Sequence, residues 1–205
     1  MQNKLLTFEV IKTPIGPMKA VASPEGLCAL EHLNTEREQM LNKRLTRHFH
    51  HQEGSQVTSE KTHGKKSIHI ERARAWLGQY FSGKKMSLRG LKLDLRGTDF
   101  ERAVWDELTQ LPYGRTVSYS ELAVRLGKPK ASRAVGYATR RNPISIIVPC
   151  HRVIGASGDL VGYAGGVAAK SFLLALESTR RSSQSPVQNR ALSSSDCELI
   201  FFRDQ

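Results

Sequence analysis

A chain of 205 residues that is 39% hydrophobic and 24% charged has the composition of a globular protein, large enough for one ordinary domain or two small ones. Its apolar runs are too short to span a bilayer, and residues 1–6 lack the apolar stretch of a signal peptide, so a cytoplasmic location is expected. A formal charge of +12 favours a polyanionic partner, because each neutralised phosphate releases counterions, but the excess is spread along the chain and marks no face.

In chain order, residues 8–12 alternate apolar and polar, Thr13-Pro14-Ile15-Gly16-Pro17 supplies turn chemistry, and residues 18–22 and 27–33 continue the pattern. A small antiparallel sheet is predicted there. A helix follows over 36–49, then a polar loop over 50–67, then a second helix over 68–81. That helix carries Ile70, Ala73, Trp76, Leu77 and Tyr80 on one side and stops at Gly83. Leu91, Leu93 and Leu95 alternate with Lys92 and Asp94, as in a strand or an extended linker. Residues 1–95 thus read as an α/β N-terminal domain, a small antiparallel sheet plus helices.

Beyond residue 97 the chain turns to short, well-capped helices. Thr98-Asp99-Phe100-Glu101 and Ser118-Tyr119-Ser120-Glu121 both have the capping-box form, a hydroxyl at the cap and Glu three residues on. The first opens a helix burying Phe100, Val104, Trp105, Leu108 and Leu111. The second opens a short helix ending at Gly127, and a third runs over about 130–141. Two short helices joined by a tight glycine turn make a helix-turn-helix, of winged-helix type. Asn142-Pro143 breaks the third helix, and 144–148 reads as a buried strand or extended segment. Turns follow over 154–159 and 163–166, and a last helix over 168–178 places Phe172, Leu173 and Leu176 inward. The expected division is therefore 1–95, a mostly α domain over 96–178, and a disordered tail over 179–205.

The three cysteines, Cys28, Cys150 and Cys197, form no paired motif and are too few for a disulfide framework, which suits a reducing compartment. Cys150 lies in Pro149-Cys150-His151-Arg152-Val153. A thiol attacks carbon only as thiolate, so a reactive cysteine needs a nearby base or cation. Neighbours on a strand point to opposite faces; His151 serves Cys150 only if the chain turns, which the fixed φ of Pro149 favours. A carboxylate such as Glu177 would then orient the imidazole, which takes the thiol proton, directly or through a water. For an isolated Cys-His pair the plainer reading, a small buried cysteine beside a surface histidine, prevails. Here the surroundings reverse it.

Asn142-Pro143-Ile144 leading into Ile147-Val148-Pro149-Cys150-His151-Arg152-Val153-Ile154 resembles the active-site signature of the O6-alkylguanine-DNA alkyltransferases. Arg133-Ala134-Val135-Gly136, Gly162-Tyr163-Ala164-Gly165-Gly166 and Leu173-Leu174-Ala175-Leu176-Glu177 match the same family in order and spacing. The strong resemblance covers about residues 98–178; the stretch at 13–17 is similar to the bacterial constitutive form more loosely. The resemblance implies a DNA repair protein that flips an alkylated guanine out of the duplex and moves the alkyl group irreversibly to Cys150, once per molecule. It leaves open whether alkylated thymine is accepted too. Double-stranded DNA carrying alkylated bases is the implied partner, with no membrane, no metal and no cofactor, and the protein is expected to be a monomer.

Residue by residue, the resemblance makes Cys150 the nucleophile, His151 its base and Glu177 the orienter of His151. Tyr119 assists proton delivery to the leaving guanine, and Asn142 ties the recognition helix to the active-site loop. Arg133 is the finger that fills the vacated space in the stack. Backbone groups at Cys150 and Val153 read the guanine edge, Tyr163 walls the pocket, Ala164 and Gly165 beside it are substrate- or DNA-binding positions (although Gly165 and Gly166 could be only a turn), and Ser132, Ala134 and Gly136 let the helix approach the minor groove. Lys130, Arg140 and Arg141 suit phosphate neutralisation. The sulfur is expected to be held ionised in a cleft that only an extruded base enters.

Two departures from the family pattern stand out. Thr139-Arg140-Arg141 replaces small or Gly-Asn residues before Asn142, and Ala164 replaces a serine of some relatives. Some relatives bind zinc in the N-terminal domain; Cys28 and His32 lie in that region without a full four-ligand set. Three other readings compete: a lesion-binding relative without chemistry, a helix-turn-helix regulator, and a turnover hydrolase using Cys150, His151 and Glu177. The first lacks the reactive cysteine, and the last two leave Arg133, Tyr119 and the glycine loop unexplained.

Overall fold

The computed structural model describes residues 6–49 and 67–179; all but the first residue of the expected 179–205 tail, Cys197 included, and nearly all of the expected 50–67 loop lie outside the described residues. Strands β1 (Thr7–Thr13), β2 (Gly16–Ala22) and β3 (Leu27–His32) form an antiparallel sheet in the order β1-β2-β3. The hairpin between β1 and β2 closes on Gly16, whose φ of 98° a side chain would strain, and Thr13 Oγ1 donates to its carbonyl at 2.6 Å. Along β2, Met18, Ala20 and Ala22 face the main core, whereas Val21 faces a smaller cluster with Cys28, Leu41 and Leu45 under helix α1 (Thr35–Phe49). That is the period-two alternation of a sheet covered on both sides, and it explains why all six residues of β3 are buried.

Helices α2 (Ile68–Phe81), α3 (Asp99–Thr109), α4 (Tyr119–Arg125), α5 (Ser132–Arg140) and α6 (Gly166–Ser178) follow, with the parallel two-residue strands β4 (Val117–Ser118) and β5 (Val153–Ile154). Both capping boxes form reciprocally, at Thr98 with Glu101 and at Ser118 with Glu121. Helices α4 and α5 pack on each other and on α3 as the helix-turn-helix. The fold agrees with the expected class, an α/β N-terminal part followed by a mostly helical part.

Of the two segments expected as strand or extended chain, 91–95 is extended with a single bridge and 144–148 is not. Residues 91–95 contribute one bridge, Leu93 to Leu27, and residues 144–148 one bridge, Ile144 to Leu30. After Ile144 the chain turns at once: Ile147 N–H reaches back to the Ser145 carbonyl at 2.9 Å across Ile146, whose φ is +70°. A β-branched residue there is strained by about 1–3 kcal/mol and persists only where the packing imposes it. Ile146 is 1% exposed, so the core does impose it. The main core runs without a break from Met18, Leu30 and Tyr80 to Trp105, Leu122, Ile144 and Leu173.

Candidate active site and recognition helix

Pro149 has φ −82° and ψ 63°, and Cys150 N–H donates to the Val148 carbonyl at 2.8 Å, a tight turn that enters a single 3-10 turn over Cys150–Arg152. Adjacent side chains therefore diverge by a turn rather than by strand alternation. Cys150 stays partly accessible while His151 is fully buried and Arg152 nearly so. Burial holds the Cys150 thiol above its ordinary pKa, against the opposing hydrogen bond from Asn142. The expected resting thiolate is thus corrected: desolvation of the charged form keeps the sulfur protonated until a base takes the proton.

His151 faces that task. Its Nε2 meets Glu177 Oε1 at 2.9 Å, and its Nδ1 is buried with no hydrogen-bond partner among the described residues. Glu177, on the last turn of α6 and 1% exposed, gathers further donors: Tyr80 Oη at 2.8 Å, Arg152 Nε and Nη2 at 2.8 Å each, and the Gly114 N–H at 2.8 Å. Burial alone would raise this carboxyl, but the hydrogen bonds from His151 and Arg152, with the charge of Arg152, overcome it and hold the pKa at about 2. Burial lowers His151 despite the carboxylate beside it. We therefore read a neutral imidazole on a carboxylate whose charge is balanced by Arg152.

Asn142, 2% exposed, lies where α5 ends. Its amide donates to the Val148 carbonyl at 2.8 Å and its Oδ1 accepts from Ile144 N at 3.0 Å, so it pins the cysteine loop to the helix. Tyr119 starts α4 and lies close to Gly136, where an added Cβ would come within 3.6 Å of its ring. Burial raises its phenol pKa, and a thiolate at Cys150 would raise it further. Tyr163 stands edge-on to His151 with ring centroids 6.4 Å apart. The Val153 carbonyl accepts from Lys170 Nζ at 2.6 Å, which leaves one lone pair for another donor.

On α5, Arg133, Ala134, Tyr137 and Arg140 are exposed, Ser132 and Gly136 are partly so, and Lys130 is exposed just before the helix. Arg141 differs from these: it turns back to pair with Glu101 and donates to Tyr137 Oη at 3.0 Å. From α1, Arg37 and Arg44 donate to the carbonyls of Arg140 and Arg141, satisfying acceptors at the C-terminus of α5. A cavity of about 270 Å³ beside them is lined by Arg37, Lys43, Arg44, Arg47 and Arg141 together with Glu31, His48, Met40 and Leu41, a mainly basic concentration that total charge did not reveal.

Sequence reasoning missed Tyr80, Arg152, Lys170 and Tyr137. Lys170 had a usable signal, since with Leu173 and Glu177 it repeats on one helical face. Tyr80 had none beyond its place on an apolar stripe. Cys28, for its part, donates to the Val21 carbonyl at 3.3 Å inside the smaller core, and no metal-sized group of ligands occurs among the described residues.

The geometry accords with comparisons to known proteins. Residues 99–179 match the model of the 6-O-methylguanine DNA methyltransferase, DNA binding domain. A methylated-DNA–protein-cysteine methyltransferase of Methanosarcina barkeri is 44% identical over 170 residues, which is 83% of this chain and 96% of the relative. The chain belongs to this family. A Mycobacterium tuberculosis methyltransferase of the same name is 56% identical over 104 residues, 51% of this chain and 62% of the relative. The crystal structure of Mycobacterium tuberculosis OGT in complex with DNA superposes with a TM-score of 0.65 at 39% identity, covering 86% of this chain and 94% of that one. Members of this methyltransferase family repair alkylated DNA by moving the alkyl group to a cysteine of their own. No described helix is long and apolar enough to cross a membrane.

Proposed function

We propose that Cys150 takes the alkyl group from the O6 position of a guanine extruded from duplex DNA, with residues 96–178 carrying both DNA binding and transfer. The observation that carries this reading is a partly accessible cysteine on a tight turn, one residue from a buried histidine. That histidine has one nitrogen on a carboxylate and the other without a partner among the described residues. His151 Nδ1 receives the thiol proton through a single intervening water, and Glu177 stabilises the imidazolium that results. The thiolate forms the S–C bond as the C–O bond breaks; the guanine leaves as its neutral form, protonated by way of Tyr119. The S–C bond of the resulting thioether resists hydrolysis, so each molecule reacts once.

Arg133 enters the stack in place of the lost base, and Lys130 and Arg140 meet phosphates. Arg141 acts through Glu101 and Tyr137 as a brace of the helix end. A cytoplasmic setting fits a function that needs Cys150 reduced, and Cys28 and Cys150 are both free thiols. The test is mass spectrometry after incubation with duplex DNA holding O6-methylguanine. One methyl group on Cys150 and none on Cys150→Ser is expected; repaired DNA with unmodified Cys150 refutes the mechanism.

A further inference from the structure

The pocket wall that the resemblance assigns to Tyr163, with Ala164 and Gly165 next to it, is held from the other half of the chain. His32, the last residue of β3, is 6% exposed and meets Tyr163 edge-on, with ring centroids 5.4 Å apart at 79°. Its Nε2 lies 3.5 Å from Tyr163 Oη, a long contact, so packing carries more of the interaction than hydrogen bonding. The same ring lies against the backbone of Gly165: a Cβ there would come within 2.5–2.8 Å of three imidazole atoms. Gly165 has an ordinary φ of −89°, so the ring, and not the backbone angle, demands glycine at this position. Two residues on, Asn34 Nδ2 donates to the Ala164 carbonyl at 3.3 Å. Every residue of the Tyr163–Gly165 wall thus touches the β3–α1 corner. Tyr163 in turn stands against His151, so a shift of its ring is felt beside the cysteine.

We infer that His32 is a positioning residue of the N-terminal sheet that fixes Tyr163 and Gly165 and so sets the width of the slot in which the alkyl group and its base lie. The inference rests on the proposed alkyl transfer and adds a prediction about which alkyl groups are accepted. With His32 in place the slot is narrow and a methyl group is held at the sulfur. With the ring removed, Tyr163 and the loop relax towards the space it leaves. A methyl group is then held loosely, while a bulky group gains room.

The experiment compares single-turnover transfer to Cys150 from duplexes carrying O6-methylguanine and O6-benzylguanine. The wild-type reaction in the same assay tests the transfer itself; the variants test the role of His32. His32→Ala should slow methyl transfer about ten- to a hundredfold, as a positioning error of about 1 Å does, and slow benzyl transfer far less. The benzyl-to-methyl rate ratio should therefore rise at least about fivefold, a change that a general loss of folded protein cannot produce. His32→Phe, which keeps the flat ring and drops the nitrogens, should return the ratio to that of wild type. Gly165→Ala approaches the same contact from the other side and serves if His32→Ala fails to fold. By crowding the slot it should lower benzyl transfer more than methyl transfer. Equal slowing of both substrates by His32→Ala, or unchanged rates in Gly165→Ala, overturns the assignment.

Discussion

Replacing Glu177 by Gln removes one charge and changes almost no volume, which isolates the carboxylate's electrostatic role. Oε1 accepts from His151, Tyr80 and Arg152, and Oε2 from Arg152 and the Gly114 amide. Whichever oxygen becomes the amide nitrogen, at least two donors then face a donor, and one of them is the guanidinium of Arg152. Breaking a buried ion pair by removing one member destabilises by about 3–5 kcal/mol, a large share of the roughly 5–15 kcal/mol that holds a domain folded. The pKa gives an independent figure. A carboxyl held at about 2 instead of 4.5 contributes about 3 kcal/mol at neutral pH. Because the folded value is the lower one, this contribution is present above about pH 4.5 and is lost as pH falls towards 2. Urea unfolding at pH 7.5 should show a lower midpoint with an unchanged slope, and the difference between variant and wild type should shrink on acidification. A loss under about 1 kcal/mol, or one independent of pH below 4, refutes the description of Glu177 as a charged hub.

Three further outcomes follow from other sites. Arg133→Ala should reduce transfer from duplex DNA by about tenfold or more while leaving transfer from a single strand nearly unchanged, because only the duplex needs its stack refilled; equal loss on both substrates removes the finger role. Glu31 is raised to about 7 by burial, opposed by Arg37 and Arg44, and its Oε2 has no hydrogen-bond partner among the described residues. Stability is lost as pH rises from about 4.5 to 7, so Glu31→Gln should be more stable than wild type by up to about 3 kcal/mol at pH 8 and no more stable at pH 4, as read by thermal melting. His151 is buried and lowered, so unfolded chains bind its proton first and stability should fall as pH drops below about 6.5. His151→Gln should flatten that part of the profile, and an unchanged slope rejects the neutral assignment.

What the sequence disclosed divides along a physical line. The strands at 8–33, both capping boxes and the helix ends near Gly83 and Gly127 are set by local periodicity and by caps, which a short window contains. The cysteine motif with its histidine was legible because its elements are close together in the chain. Residues 144–148 differ from the expected strand or extended segment because an apolar run looks alike whether it is extended or folded into tight turns; the bonds to Leu30 that decide the matter come from a distant residue. The resting state of Cys150 was misread for a related reason, since sequence shows the adjacent histidine and not the burial of the thiol. His32 had been weighed only as half of a metal site, and its contact with Tyr163 spans 131 residues of chain.

Leu30 donates its amide hydrogen to the Pro143 carbonyl, and its own carbonyl accepts from the Ser145 amide. In effect the loop that presents the nucleophile is stitched to the sheet as a stub of a fourth strand. A fragment beginning near residue 96 would therefore keep every group that performs chemistry and lose the template against which their backbone is laid out. In the complementary fragment, which ends before residue 96, the edge of β3 would be bared and left as an adhesive seam for other chains. Tolerance to mutation should accordingly be as low in the apolar residues of β3 as in the reactive loop itself, although none of them comes near a base.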